Sequence, residues 1–291
     1  MTEFLKKAAE TAEKCDIGIF KIAEYKDGVA DFVTLVPSPE CHDSYSVAKA
    51  FVVAAIGMLV DRGQLKTSDT VADIFPDEVA AVEREEMRTH WKNTTVHHVL
   101  KHEAGFPGGY LDIDCQNPYD YKDRDFLRYC LNMTPIFAPG ECPRYSDAAY
   151  YLLSRIFTKV SGELIDNFLW REMFYDLEFR EMAWSKCPLG YPMGATGLYV
   201  RSVDVAKFGS IFLNGGVYNG KRYLSEDWVN KTIDDPGYEL TRNADGSFSK
   251  GGMNGQNLIV YPWQNRVVAW HGFSKDGDWE GFYKFLREYK D

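Results

Sequence analysis

The chain has no Cys-x-x-Cys pair, no internal repeat, no low-complexity tract and no uninterrupted apolar run longer than Ala50 to Val60. Such a run is too short for a bilayer, which takes about 20 apolar residues, so no membrane span is expected. Cys15, Cys41, Cys115, Cys130, Cys142 and Cys187 are scattered and read as free thiols of a cytoplasmic protein. Positive charge is also short. Lys and Arg number 33 against 43 Asp and Glu, a net charge of −10, which argues against nucleic acid or an anionic membrane surface as partner. The first 15 residues carry acidic side chains and lack an apolar core, so they read as an amphipathic helix and not as a signal peptide. No histidine and carboxylate spacing suggests a metal site. Gly215-Gly216 lacks the context and the Lys-Ser/Thr of a phosphate loop, so neither metal nor cofactor is expected.

What is present is a globular composition, 45% apolar and 15% aromatic, in 291 residues. That length can bury one large core or two interleaved ones. The stretch from Val47 to Val60 is apolar or Gly except for Lys49, so it predicts a helix without a wet face, ended by Asp61-Arg62-Gly63. A lysine there opposes the helix dipole and is costly to bury unpaired, which is expected to pull its pKa down toward that of a general base. Ser46 stands three residues earlier on the same face, and a serine hydroxyl becomes a nucleophile when a neighbouring base takes its proton. The bland alternatives are a helix N-cap for Ser46 and a snorkelling stem for Lys49.

Chance alone supplies about one Ser-x-x-Lys in a chain of this length. A second copy, Ser247 to Lys250, follows the turn cluster Asn243-Ala244-Asp245-Gly246 with no helical run, so its Ser and Lys need not share a face. Cys41 is a further candidate nucleophile with no activating neighbour in sequence.

In order along the chain, residues 17–25 and 29–36 read as strands of a hairpin turned by Lys26-Asp27-Gly28. Helices dominate residues 67–189, including 95–101, 123–133 and 148–161, the last closed by Gly162. Residues 111–121 read as an acidic, aromatic surface loop that could overhang a cleft. Ser202 reads as the cap of a helix over 203–214; residues 254–260 and 266–270 read as strands, and 279–289 as a closing helix. The expected fold is α+β, an antiparallel sheet flanked by terminal helices plus an inserted helical region. Residues 1–44 with 194–291 would form the sheet domain and residues 45–193 the helical one, with the site in the cleft between them.

Several stretches resemble the serine β-lactamase and penicillin-recognising family, most closely its class C branch with related esterases and amide hydrolases. Ser46-Val47-Ala48-Lys49 with the helix exit through Gln64-Leu65 is similar to the family's nucleophile helix, and residues 95–106 to its "TVRHLLTHTSGL" stretch. Pro139-Gly140 leading to Tyr145-Ser146-Asp147 resembles the second motif, and residues 208–216 before Leu224-Ser225 a further signature. Tyr-x-Asp also begins at Tyr25, Tyr121 and Tyr289, so Tyr145 is singled out by the Pro-Gly turn and the helix after it.

The resemblance implies that the Tyr145 phenol lies by Ser46 and Lys49, where a cationic amine would lower its pKa and let it act as base. The family's usual Asn is Asp147 here, which cannot donate to a substrate carbonyl while ionised; it would pair with Lys49 or bind a cationic substrate group. The third motif is matched by Lys250-Gly251-Gly252-Met253-Asn254, expected on an edge strand. It implies an oxyanion hole from the N–H groups of Ser46 and Met253, with Gly252 and Asn254 beside the substrate and Lys250 as carboxylate binder or ordinary solvated lysine. His97, His102 and His271 read as structural.

The implied activity is that of a serine hydrolase working through an acyl-enzyme on a small ester or amide. A β-lactamase or D-amino-acid peptidase is the alternative among enzymes, and a catalytically silent binding protein of the same fold the alternative from another class. Oligomeric state is not readable from the sequence.

Overall fold

The computed structural model describes residues 1–121, 123–234 and 238–291. The fold is α+β, organised on a six-stranded antiparallel sheet. Its strands are β1 (Ile19–Lys26), β2 (Val29–Thr34), β3 (Thr241–Arg242), β4 (Phe248–Gly251), β5 (Asn257–Tyr261) and β6 (Arg266–Gly272), in spatial order β2-β1-β6-β5-β4-β3. Asp27 and Gly28 both take positive φ, 51° and 86°, between the paired residues Lys26 and Val29. That is the two-residue turn whose twist suits a hairpin, and it sets the register of β1 on β2.

Side-chain alternation divides the sheet into two faces. On β6, Val268 and Trp270 belong to an outer cluster with Phe4, Leu5 and Ala8 of helix α1 (Glu3–Lys14), while Val267 and Ala269 face the main core. The terminal helix that joins α1 on the outer face runs Trp279–Glu288 and places Phe282 and Leu286 in the outer cluster. The two chain ends therefore cover one face of the sheet, as the hydrophobic pattern predicts.

Against the inner face lies α4 (Ser202–Leu213), and beyond it α2 (Ala48–Asp61). Every residue of α2 from Ala48 to Leu59 is buried, Lys49 included, and the Phe51 ring stacks on Phe208 of α4 at 3.8 Å between centroids. The expectation of a helix with no wet face is met. Helix α3 (Asp147–Ser161) packs on the other side of α2; Ser146 caps its start, and Gly162 at φ 74° ends it. Shorter helices at Val96–Leu100 and Phe126–Leu131 belong to the same helical layer, each within the span that its sequence pattern predicts.

Ser202 departs from expectation. Its helix starts at Ser202 itself, with Arg201 as N-cap, and the Ser202 hydroxyl bonds the His271 ring instead of a helix N–H. A buried imidazole is the more demanding partner, because it has nowhere else to satisfy Nδ1. The third motif departs too: β4 is not the edge strand, although β3 pairs only with Phe248 and Ser249. Among the described residues no helix is long and apolar enough to cross a membrane.

Candidate active site

The chain reaches the nucleophile candidate through a tight 3-10 turn, Tyr45–Val47, directly before α2. Tyr45 holds φ 46°, a left-handed conformation that is costly for a bulky residue. The turn is braced from two sides. The Tyr45 N–H donates to Asp43 Oδ1 at 2.8 Å, and Ser44 Oγ lies 3.0 Å from His271 Nε2. The His271 ring, 2% exposed, meets Ser202 Oγ at 2.8 Å through its other nitrogen.

On this turn Ser46 Oγ meets two groups. Lys49 Nζ lies at 2.9 Å and the Tyr145 hydroxyl at 2.7 Å. Lys49 spends its other two protons on Asp147 Oδ1 at 2.8 Å and the Ala195 carbonyl at 2.9 Å, so an ammonium there is fully satisfied. Asp147 pairs with Lys49, one of the two roles open to it from sequence; the lysine is fully buried and the carboxylate nearly so.

Tyr145 precedes the cap of α3 and is fixed by the loop behind it. The Arg144 N–H donates to the His102 carbonyl at 2.8 Å, and the Gly109 N–H to the Tyr145 carbonyl at 3.2 Å. The residue as a whole is 47% exposed, but its ring packs 4.6 Å from the His102 ring, with Lys49 Nζ 4.7 Å and Lys250 Nζ 5.0 Å from its centroid. The expected lowering of its pKa is not found. Burial pushes the phenol up to about 12, against the opposing charge of Lys250, so Tyr145 is a neutral hydroxyl at ordinary pH.

Behind Tyr145 is a buried group that no sequence motif marks. Glu239 receives His102 Nε2 on one oxygen at 2.6 Å and Lys250 Nζ on the other. His102 Nδ1 accepts the Ser146 N–H at 3.3 Å, which leaves Nε2 to carry the proton and donate to Glu239. Burial alone would raise the Glu239 carboxyl, but Lys250 and then His102 reverse this and hold it well below the usual carboxylate range. Lys250 also reaches the Tyr145 hydroxyl at 3.5 Å. Asp112 and Asp114 join Asp147 on the other side, with carboxylate oxygens within 4.8 Å of one another. Thr196 Oγ1 donates to Asp114 at 2.6 Å.

The Gly252–Met253 segment lies directly on the nucleophile turn. A Cβ at Gly252 would stand 2.6 Å from the Ser44 carbonyl and 3.3 Å from Tyr45 Cβ. A side chain at Gly252 would therefore press on the protein's own main chain. Asn254 takes φ 58° and lies near the Tyr45 phenol. The structure therefore brings Ser46, Lys49, Tyr145, Asp147, Lys250, Gly252, Met253 and Asn254 into one region. It leaves Cys41 outside, its thiol pushed up to about 12 by burial and then by Glu181.

The family model described as "Beta-lactamase" matches residues 34–281. The 6-aminohexanoate-dimer hydrolase of Paenarthrobacter ureafaciens is 21% identical over 280 residues, covering 79% of this chain and 69% of that protein. Among solved structures, a Bacillus anthracis protein assigned as a 6-aminohexanoate-dimer hydrolase superimposes with TM-score 0.76 at 17% identity, over 96% of this chain and 80% of the other. A family VIII carboxylesterase superimposes with TM-score 0.68 at 16% identity, over 97% and 96% of the two chains. At these identities the likeness to the solved structures is one of fold.

Proposed function

The chain belongs to the beta-lactamase family, and we propose that it is a serine hydrolase that cleaves an ester or amide through an acyl-enzyme on Ser46. The observation that carries this is the pair of contacts on one oxygen, Lys49 Nζ at 2.9 Å and the Tyr145 hydroxyl at 2.7 Å from Ser46 Oγ. The relatives named above, an amide hydrolase and a carboxylesterase, support the substrate class.

Lys49 is the base. In its amine form its two N–H groups are held by Asp147 Oδ1 at 2.8 Å and the Ala195 carbonyl at 2.9 Å, which turns its lone pair toward Ser46. Ser46 Oγ then attacks the carbonyl carbon while its proton passes to Lys49. The N–H groups of Ser46 and Met253 receive the developing oxyanion; the close seating of Gly252 on Ser44 and Tyr45 supports this pairing. Collapse breaks the ester or amide bond, and the neutral Tyr145 hydroxyl donates a proton to the leaving alcohol or amine. Water then attacks the acyl-enzyme and gives its proton to the Tyr145 phenolate, while Lys49 returns the serine proton to Ser46 as the acid leaves. One proton leaves Ser46 and one joins the leaving group, so no cofactor is required. The cleft used is the one between residues 1–44 with 194–291 and residues 45–193. Six thiols, none in a disulfide, suit a reducing compartment, and we place the protein in the cytoplasm.

Intact-mass spectrometry after brief incubation with a p-nitrophenyl ester and, separately, a fluorophosphonate tests this. A mass gain on the native chain and none on Ser46→Ala is expected, with p-nitrophenol release from the native chain alone. Equal adducts on both, or none on the folded native chain, would overturn it.

A further inference from the structure

Each cation at the nucleophile is matched by its own buried carboxylate. Lys49 is paired with Asp147, and Lys250 with Glu239, which is 6% exposed and also takes the His102 proton. Glu239 adopts φ 76°, a conformation that a residue with a Cβ takes only when its surroundings impose it. The surroundings here are the two donors it serves. Lys250 has its remaining reach turned to the Tyr145 hydroxyl and ring.

Beyond these two pairs, further carboxylates stand beside the site. Asp112 and Asp114 adjoin Asp147. Asp43 lies under the nucleophile turn, its carboxyl raised to about 6 by burial and, to a smaller extent, by the charge of Asp114. A substrate carboxylate placed beside Ser46 would meet two cations already neutralised and a set of carboxylates without lysine partners.

We propose that Glu239 is a specificity-determining residue. By neutralising Lys250 it withholds the cation on which a substrate carboxylate would rest, so the site takes neutral and cationic esters or amides and rejects those with a carboxylate near the scissile bond. Discrimination of this kind works by building a cost against the wrong partner. The inference rests on the hydrolase function proposed above.

Three p-nitrophenyl esters of matched acyl length test it: the neutral butyrate, the anionic hemisuccinate and the cationic 4-(trimethylammonio)butyrate. Native protein should show kcat/KM for the hemisuccinate about tenfold below the butyrate at low salt, and the cationic ester at or above the butyrate. Raising salt to about 0.5 M should narrow the spread. Glu239→Gln should raise the hemisuccinate-to-butyrate ratio about tenfold, mainly through KM, because a free Lys250 then receives the carboxylate. If that variant does not fold, the salt dependence of the native ratio decides alone. Equal turnover of butyrate and hemisuccinate at all salt concentrations, or an unchanged ratio in folded Glu239→Gln, overturns the inference and leaves the hydrolase function standing. No turnover of any ester and no adduct at Ser46 overturns both.

Discussion

The pattern Ser-x-x-Lys occurs at Ser46–Lys49 and again at Ser247–Lys250, and the two copies come to opposite ends. In the first, a 3-10 turn running into a helix puts both side chains on one face, 2.9 Å apart. In the second, the backbone is extended from Phe248 to Gly251, so residues three apart point to opposite faces of the sheet. Ser247 turns into its own loop, where it bonds Asp245 and Asn243, while Lys250 turns to Glu239 and Tyr145. Four residue identities carry no chemistry until a backbone period says which of them meet. The second lysine nonetheless reaches the first serine's site, through tertiary contact and not through its own spacing.

The largest expected effect comes from breaking the first copy at its lysine. Lys49→Met removes the cation and leaves Asp147 buried without a partner, at a cost of about 3 to 5 kcal/mol, together with loss of ester turnover. Adding Asp147→Asn should recover most of the stability and none of the turnover. Urea unfolding and p-nitrophenyl butyrate hydrolysis, run on both variants, separate the two effects. A single variant as stable as the native chain would mean that the pair is not worth what its burial implies.

How much of this was legible depended on sequence distance. Ser46 with Lys49, the Asp27-Gly28 hairpin, and the Ser146 cap and Gly162 stop of α3 are local patterns, and local geometry realises each of them. Glu239 is 137 positions from His102 and carries no flanking motif, so nothing in the chain marks it. The raised phenol of Tyr145 is not legible in the chain for a related reason. Neighbouring cations can be counted from a resemblance, whereas the burial that outweighs them belongs to the folded state. Ser202 reads as a cap because capping is local, and its actual partner, His271, lies 69 residues away.

His271 sharpens the comparison, because it braces the first copy and has no counterpart under the second. Burial, with the nearby His42 and Lys21 charges adding to it, pushes this imidazole down to about 3. An unfolded histidine takes up its proton near pH 6.5, so between about pH 6.5 and 3 the unfolded chain binds the proton that the native chain refuses. The stability tied to this group is therefore intact above pH 6.5 and is lost as the pH falls. At pH 4 the loss is about 3 kcal/mol relative to pH 7. His271→Asn, which cannot protonate, should start less stable at pH 7 and lose correspondingly less on acidification. Urea midpoints at the two pH values read this difference, and parallel losses in the two proteins would place the acid sensitivity elsewhere.

The smallest expected effect tests the second copy on its own terms. Ser247 is 1% exposed; its hydroxyl donates to Asp245 at 2.6 Å and accepts from Asn243 at 2.9 Å. Ser247→Ala removes both bonds, but Asn243 keeps Ser249 as an acceptor at 3.1 Å and Asp245 keeps the Ser247 main-chain N–H at 2.9 Å. With the partners still satisfied, the cost should be about 1 kcal/mol in unfolding free energy. Turnover of p-nitrophenyl butyrate should stay within about twofold of native, since the mutated side chain is on the opposite face of the strand from Lys250. A large fall in kcat would mean that the turn at 243–247 sets the position of Lys250 against Tyr145, and the second copy would then act on the site through its serine as well as its lysine.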